Sequence, residues 1–221
     1  MTWLRNLGKF LIAVGVGVLL FVGWILWGTG LYTARQQNRL EDELAKLPAI
    51  EPQRDGNGDS AFAGPGDDYL PGEGQPVFGL RIPRIDLSNV VVQGVGVEEL
   101  KLGPGHYPDC RDEFKGSLCT EQEEVWPGER GRVIISGHRT TYGQPFWSLD
   151  RVQEGDDIIT ETKWGTFVYE VTDIEIVSPQ ARDIVLPDPP GSRAEIALTT
   201  CNPRFSASQR LVVFGEMKKP A

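Results

Sequence analysis

Residues 197–215 have the sequence Ala197-Leu-Thr-Thr-Cys-Asn-Pro-Arg-Phe-Ser-Ala-Ser-Gln-Arg-Leu-Val-Val-Phe-Gly215. A strand-like apolar run ends at Cys201, a polar turn with a proline comes next, and Arg210 begins a second apolar run. This pattern predicts a hairpin with Cys201 at the end of one strand and Arg210 at the start of the next. A thiol and a fixed positive charge at one end of a sheet fit acyl-transfer chemistry if a histidine joins them.

The chain around this hairpin, from Val77 onward, alternates short apolar runs with turns rich in Gly, Pro and Asp. The runs predict strands at 77–85, 89–95, 132–136, 157–160, 166–171, 174–177, 196–199 and 211–214. Short helices are predicted only at 97–100 and 145–149. Seven or eight short strands indicate a mainly β domain, folded as a closed or nearly closed barrel. The proline within the first run predicts an edge position for that strand.

The N-terminal part of the chain predicts a membrane anchor. Residues 10–32 contain no charged side chain and are long enough to span a bilayer core as a helix. Arg5 and Lys9 precede this stretch, which predicts a cytoplasmic tail at 1–9 and an extracellular position for the chain beyond residue 32, although Arg35 and Arg39 weaken the asymmetry. The competing interpretation is a cleaved signal peptide, but its apolar core would be shorter and Tyr32-Thr-Ala34 fits a cleavage site poorly.

Residues 33–76 are predicted to be an extracellular spacer, partly disordered. A short polar helix at 33–47 would be stopped by Pro48, and the Pro-, Gly- and Asp-rich residues 48–76 cannot bury a core. The catalytic domain would then occupy residues 77–221. The net charge of −9 and the pI near 4.8 argue against nucleic-acid binding.

The three cysteines divide into a local pair and a single residue. Cys110 and Cys119 lie nine residues apart in a polar loop, and cysteines outside a bacterial cytoplasm tend to pair. A disulfide between them is therefore predicted, with two free thiols as the alternative; their spacing fits no zinc pattern. Cys201 remains unpaired, either as a nucleophile or as a buried apolar side chain.

A nucleophilic thiol needs a nearby base, and the sequence has two histidines. His138 comes after an apolar strand and a glycine, where the strand end would hold it rigidly, as catalysis requires. His106 lies in a turn-rich segment and is better explained as a hydrogen-bonded loop histidine. No Asp or Asn is needed to complete the set, because Arg210 can stabilise an oxyanion directly.

Three motifs in this order resemble those of the sortases, the membrane-anchored cysteine transpeptidases of Gram-positive bacteria. They are Ala197-Leu-Thr-Thr-Cys201, in which alanine replaces the family's first threonine, the Ser-Gly-His-Arg segment at 136–139, and Arg210 before Leu-Val-Val-Phe. The segments Gly-His-Arg-Thr-Thr-Tyr-Gly, Gly-Pro-Gly-His-Tyr-Pro and Thr-Cys-Asn-Pro-Arg-Phe-Ser resemble class E of high-GC actinobacteria. The similarity covers the whole folded domain.

The resemblance implies an eight-stranded sortase β-barrel with short helices and a catalytic set of His138, Cys201 and Arg210. Cys201 would attack the Thr–Gly carbonyl of a C-terminal Leu-Ala-x-Thr-Gly or Leu-Pro-x-Thr-Gly signal and form a thioacyl enzyme. Tyr107, Ser136 and Thr200 would contact the substrate, with Tyr107 filling the pocket that elsewhere takes the proline ring. The acceptor would be an amine of a peptidoglycan precursor (lipid II), and no metal or other cofactor is expected.

Two alternatives remain open from the sequence. One is a pilus-assembling sortase that uses a lysine acceptor, although the lid motif and the C-terminal membrane helix of that class are missing from this sequence. The other is a non-catalytic, membrane-tethered β-barrel that binds a partner and in which Cys201 is buried and inert.

Overall fold

The computed structural model describes residues 2–24, 28–54, 62–66, 68–108, 124–181 and 193–218. Helices α1 (Thr2–Gly23) and α2 (Thr29–Lys46) come first. The strands are β1 (Gln53–Arg54), β2 (Ala63–Gly64), β3 (Pro76–Ile82), β4 (Leu87–Gln93), β5 (Gly105–His106), β6 (Gly131–Ser136), β7 (Asp157–Glu161), β8 (Thr166–Val177), β9 (Ala194–Asn202) and β10 (Gln209–Met217). Single 3₁₀ turns form at Pro83–Ile85, Glu99–Lys101 and Leu149–Arg151.

Helix α1 has the length and composition of a membrane span, and none of its residues is buried against the protein. Its 22 residues correspond to about 33 Å at the α-helical rise. Among the described residues it is the one helix long and apolar enough to cross a bilayer. It overlaps the anchor predicted at 10–32 and begins earlier in the chain, while residues 25–27 of that prediction lie outside the described residues.

Strands β3 to β10 form a closed barrel in the order β10-β8-β7-β3-β4-β5-β6-β9, so the predicted eight-stranded barrel is confirmed. The β4–β5 and β6–β9 pairs are parallel and the others are antiparallel. Alternate residues of the strands point inward, as Phe78, Leu80 and Ile82 of β3 illustrate with fully buried side chains. Each such side chain stabilises the fold by about 1.5–3 kcal/mol relative to its exposed state.

Two local features differ from the strand prediction. Strand β3 is not at an edge, because it pairs with both β4 and β7, and Pro83 instead begins the 3₁₀ turn after it. The runs 166–171 and 174–177 form one strand, β8, in which Thr172 has no partner between Val171 and Asp173 opposite β10. This bulge shifts the alternation by one residue and makes one strand resemble two.

Helix α2 confirms the predicted helix and its end, since it stops at Lys46 and leaves Leu47 extended before Pro48. It also packs on the barrel, which its polar sequence did not predict. Thr33, Gln37 and Leu40 are buried on one face, and Leu40 packs on two valines of β4. Part of the segment predicted as a spacer therefore belongs to the folded body.

Candidate active site

The candidate nucleophile lies on the central strand of three neighbouring strands. Strand β9 pairs with β10 in an antiparallel register that places Arg210 opposite Cys201. On its other side β9 pairs with β6 in a parallel register that ends with Ser136 beside Thr199. Because β6 and β9 run in the same direction, His138, two residues after Ser136, lies at the level of Cys201, two residues after Thr199. The β9–β10 hairpin and the His138 segment, which lies about sixty residues earlier in the chain, thus meet at one end of the barrel.

The segment that carries His138 is attached to β9 on its N-terminal side. The Gly137 amide donates to the Thr199 carbonyl at 3.1 Å, and the Thr200 hydroxyl donates to the Gly137 carbonyl at 2.7 Å. The predicted substrate contact of Thr200 is untested, but its side chain is buried and its hydroxyl proton is engaged within the protein. Thr200 therefore acts in this structure as a link between the histidine segment and the cysteine strand.

Arg139 attaches the same segment to β9 on the C-terminal side of His138. Its side chain is buried, and Nη1 donates to the Asn202 side-chain oxygen at 2.6 Å and to the Cys201 carbonyl at 3.3 Å. His138 therefore lies between Gly137 and Arg139, and both of these residues are hydrogen-bonded to the part of β9 that contains Cys201. Sequence inspection missed Arg139; its one signal was its position next to the histidine.

Asp150 extends this network to the turn between β9 and β10. Its Oδ1 lies 3.4 Å from Nη2 of Arg139 and 2.7 Å from Nη2 of Arg204. Arg204 also donates to the Trp147 carbonyl and lies 4.5 Å above the Trp147 ring. One carboxylate thus connects a buried arginine beside His138 to an arginine three residues after Cys201. Neither Asp150 nor Arg204 was a sequence candidate.

The exposure of Cys201 and the burial of His138 bear on their predicted roles. Cys201 is partly exposed and is the free cysteine among the described residues, whereas Cys110 and Cys119 of the predicted disulfide lie outside them. Burial lowers the pKa of His138 from its usual 6.5, which favours the neutral imidazole that can accept a proton. The Tyr142 ring lies 5.3 Å from the His138 ring and contributes to that burial.

Tyr107, Ser136 and Arg210 are also brought together. Burial raises the pKa of Tyr107, while a hydrogen bond with Ser136 and the positive charge of Arg210 oppose the rise. Nη1 of Arg210 donates to the carbonyls of Ala207 and Gln209, which fixes the orientation of the guanidinium group. Of the predicted substrate-binding residues, Tyr107 and Ser136 therefore lie near Arg210, and their contact with a substrate stays a prediction.

His106 occupies a different environment from His138. It lies on β5, only 1% of it is exposed, and the centre of its ring lies 4.5 Å from that of Trp126, with the two rings tilted by 36°. Its ring nitrogens lie 3.1 Å from Oε1 of Gln93 and 3.0 Å from the Val125 carbonyl. The structure thus makes His106 a hydrogen-bonded histidine of the barrel interior. No cluster of three metal-ligating side chains occurs within the described parts of the chain.

Comparisons of the sequence with a family model and with known proteins all identify sortases as similar. A family model described as "Sortase domain" matches residues 80–218. The chain is 32% identical to Sortase SrtE1 of Streptomyces coelicolor over 96% of this chain, and covers 56% of that protein's length. It is 30% identical to Sortase SrtE2 of the same organism, covering 96% of this chain and 80% of that one.

A solved structure agrees with these sequence similarities. The crystal structure of Sortase E1 from Streptomyces coelicolor with a tripeptide in the active site superposes with a TM-score of 0.55 at 28% identity. The superposition covers 68% of this chain and 92% of that chain. The similarity in fold therefore extends over nearly the whole of the compared structure.

Proposed function

The chain belongs to the sortase family, and on that premise we propose that it is a membrane-anchored cysteine transpeptidase. Its similarity to SrtE1 and SrtE2 confirms the resemblance to class E. The observation that carries the proposal is the position of Cys201 on β9, between the strand that leads to His138 and the strand that carries Arg210. The substrate is a secreted protein with a C-terminal Leu-Ala-x-Thr-Gly or Leu-Pro-x-Thr-Gly signal.

The first half of the reaction cleaves the signal. The Cys201 thiol gives its proton to the neutral His138 imidazole, and the sulfur attacks the carbonyl carbon of the Thr–Gly bond. The guanidinium group of Arg210 stabilises the oxyanion that forms. When the C–N bond breaks, His138 returns the proton to the leaving glycine amine, and the protein remains attached to Cys201 as a thioester.

The second half transfers the protein to an acceptor. An incoming amine, proposed to be that of the lipid II precursor, attacks the thioester carbon and gives its proton to His138. The new C–N bond forms as the C–S bond breaks, and the thiolate recovers the proton from His138. Every proton in this cycle moves through His138 and the oxyanion is stabilised by Arg210, so the proposed cycle uses neither a metal nor another cofactor.

Position is part of the proposed function. We place α1 in the cell membrane as a single span with the N-terminus in the cytoplasm and the barrel outside, as the positive charges of Arg5 and Lys9 predict. The alternative of an inert, tethered barrel would require a buried Cys201 with apolar neighbours. The partial exposure of Cys201 and the arginine opposite it favour the enzyme.

The test is cleavage and transfer by the full chain in detergent micelles. A quenched peptide with a Leu-Ala-x-Thr-Gly signal is offered with either a peptidoglycan-like glycine amine or a lysine side-chain amine, and the products are identified by mass spectrometry. Wild type is expected to cleave between Thr and Gly and to use the glycine amine, whereas Cys201→Ala should do neither. Equal activity of the two proteins, or none in either, would reject the enzyme; preference for the lysine amine would favour pilus assembly.

A further inference from the structure

Building on the proposed function, we propose that helix α2 is a positioning element of the active site, in which Thr29 and Thr33 hold the segment 142–144 beside His138. Gln37 fastens the helix to the barrel. The catalytic histidine is then held from two sides, by β9 and by a helix that begins shortly after the candidate membrane span.

Gln37 takes the place of a missing strand residue. Strand β5 has only two residues and pairs with β4 at Val92 and Gln93, so Val90 has no β5 partner. The Gln37 amide supplies one: Nε2 donates to the Val90 carbonyl at 3.0 Å and Oε1 accepts from the Val90 amide at 2.7 Å. Since buried backbone groups must be paired, this contact fixes α2 in position and orientation.

Two further bonds complete the environment of the Gln37 side chain, which is 6% exposed. Its Nε2 also donates to the Leu102 carbonyl at 2.9 Å, and its Oε1 also accepts from the Asn89 side chain at 3.1 Å. Both donors of the amide nitrogen and the oxygen are therefore engaged with the barrel. These hydrogen bonds hold α2 on the barrel, because any movement of the helix would leave several buried polar groups without partners, which is energetically unfavourable.

One and two turns before Gln37, the same helix face contacts the loop after His138. Thr29 Oγ1 accepts from the Tyr142 amide at 3.2 Å. Thr33 donates to the Lys101 carbonyl at 2.9 Å, and a Cβ placed on Gly143 would come within 3.0 Å of the Thr33 side chain. Loop and helix are thus in close van der Waals contact, and a side chain at 143 would crowd Thr33 in a backbone conformation that favours glycine.

The loop itself needs external support. Tyr142, Gly143 and Gln144 have φ values of 49°, 75° and 52°, so three successive residues are in the left-handed region. Two of them are not glycine, and this conformation has a steric cost for both. The conformation carries the Tyr142 ring to 5.3 Å from the His138 ring, and the Phe146 amide donates to the His138 carbonyl at 3.1 Å. Contacts from Thr29 and Thr33 therefore stabilise a strained backbone conformation. That conformation keeps the Tyr142 ring against the His138 ring.

The experiment compares Thr29→Val and Gln37→Leu with a matched control, Asn38→Leu, which replaces an exposed amide of α2 outside the buried face of the helix. The full chain is used in micelles, and its thermal stability is recorded for each variant. Two quantities are measured: kcat and KM for the quenched peptide, and the NMR titration of the His138 ring with labelled histidine. None of the variants alters the charged or titratable side chains described at this end of the barrel, among them Tyr107, Arg139, Tyr142, Asp150, Cys201, Arg204 and Arg210.

Thr29→Val and Gln37→Leu are expected to lower kcat about tenfold with little change in KM, since small misplacements of a catalytic group act on the transition state. The His138 midpoint should move up towards 6.5 as the Tyr142 ring withdraws. Rapid amide hydrogen exchange of residues 29–46 would show that α2 has detached from the barrel in a variant. If kcat and the His138 midpoint of that variant are unchanged, the proposal is overturned. If wild type cleaves no peptide, the proposed function fails, and the His138 titration still decides this inference.

Discussion

Cys201 and Arg210 are directly opposite each other in the register of β9 and β10. Directly opposed residues of an antiparallel pair lie on one face of the sheet, with Cβ atoms roughly 4.5–5.5 Å apart. The separation of the backbone positions of the proposed nucleophile and of the charge that would stabilise its oxyanion is therefore set by the hydrogen-bond ladder. The turn between the two strands can vary without changing that separation.

The first prediction concerns the guanidinium group of Arg210, opposite Cys201. Arg210→Lys should lower kcat/KM on the order of 100-fold, because loss of one oxyanion donor commonly costs that much and an ammonium cannot reproduce the guanidinium fork. Arg193→Lys is the matched control, since Arg193 pairs with Glu216 near the other end of the β9–β10 pair. Full activity of Arg210→Lys in the peptide assay would remove Arg210 from the mechanism.

The second prediction concerns the arginine beside His138. Arg139→Lys should lower kcat on the order of tenfold at nearly constant KM, because a lysine cannot reach both the Asn202 side chain and Asp150 and the His138 segment loosens. The measurement is steady-state peptide cleavage together with thermal unfolding.

A matched control for this change is available on the same two strands. Arg132 of β6 pairs with Glu195 of β9 at 2.7 Å, at the end of the strands away from Cys201. Arg132→Lys should lose comparable stability and keep its kcat. If both variants lose activity in proportion to stability, Arg139 has only a structural role.

The barrel was predictable because its strands are short apolar runs separated by turn residues, a pattern that local sequence displays directly. The features that were not predicted depend on contacts between distant residues. Strand β5 has two residues, and α2 docks through the amide of Gln37, a residue type that is usually exposed. The bulge at Thr172 becomes evident only when β10 is placed beside β8.

The candidate site shows the same division. His138, Cys201 and Arg210 were recognised from motifs, and the strand registers bring these segments together. Arg139 and Asp150 were not recognised, because a charged residue in a sequence is ordinarily a solvated one. Only the fold shows that Arg139 is buried and bonded to residues more than sixty positions later in the chain.

The third prediction concerns the choice between alanine and proline at the second position of the signal. Tyr107→Ala should raise the ratio of Leu-Pro-x-Thr-Gly to Leu-Ala-x-Thr-Gly cleavage on the order of tenfold, because it opens space for the proline ring. Tyr107→Phe is the control: it keeps the ring, loses the hydroxyl bonded to Ser136, and should keep the wild-type ratio. An unchanged ratio in Tyr107→Ala, measured by competition between the two peptides, would exclude Tyr107 from the pocket.

The fourth prediction concerns pH and stability. Burial lowers the pKa of His138 in the folded protein below the 6.5 of an exposed histidine. Between these two values the unfolded chain binds a proton at this residue and the folded chain does not, so the free energy of unfolding rises with pH there. The contribution of His138 to the free energy of unfolding is therefore fully present above a pH of about 6.5. It is lost as the pH falls towards the lowered pKa of the folded protein.

The measurement is denaturant unfolding of wild type and His138→Gln at a series of pH values from neutral to mildly acidic. Glutamine has no titrating group, so the variant should lose less stability than wild type as the pH falls below about 6.5. His106 and all the carboxylates are present in both proteins and cancel in the difference between the two curves. A constant difference across the series would mean that His138 titrates normally in the folded protein, and the neutral imidazole that begins the proposed reaction would then need another explanation.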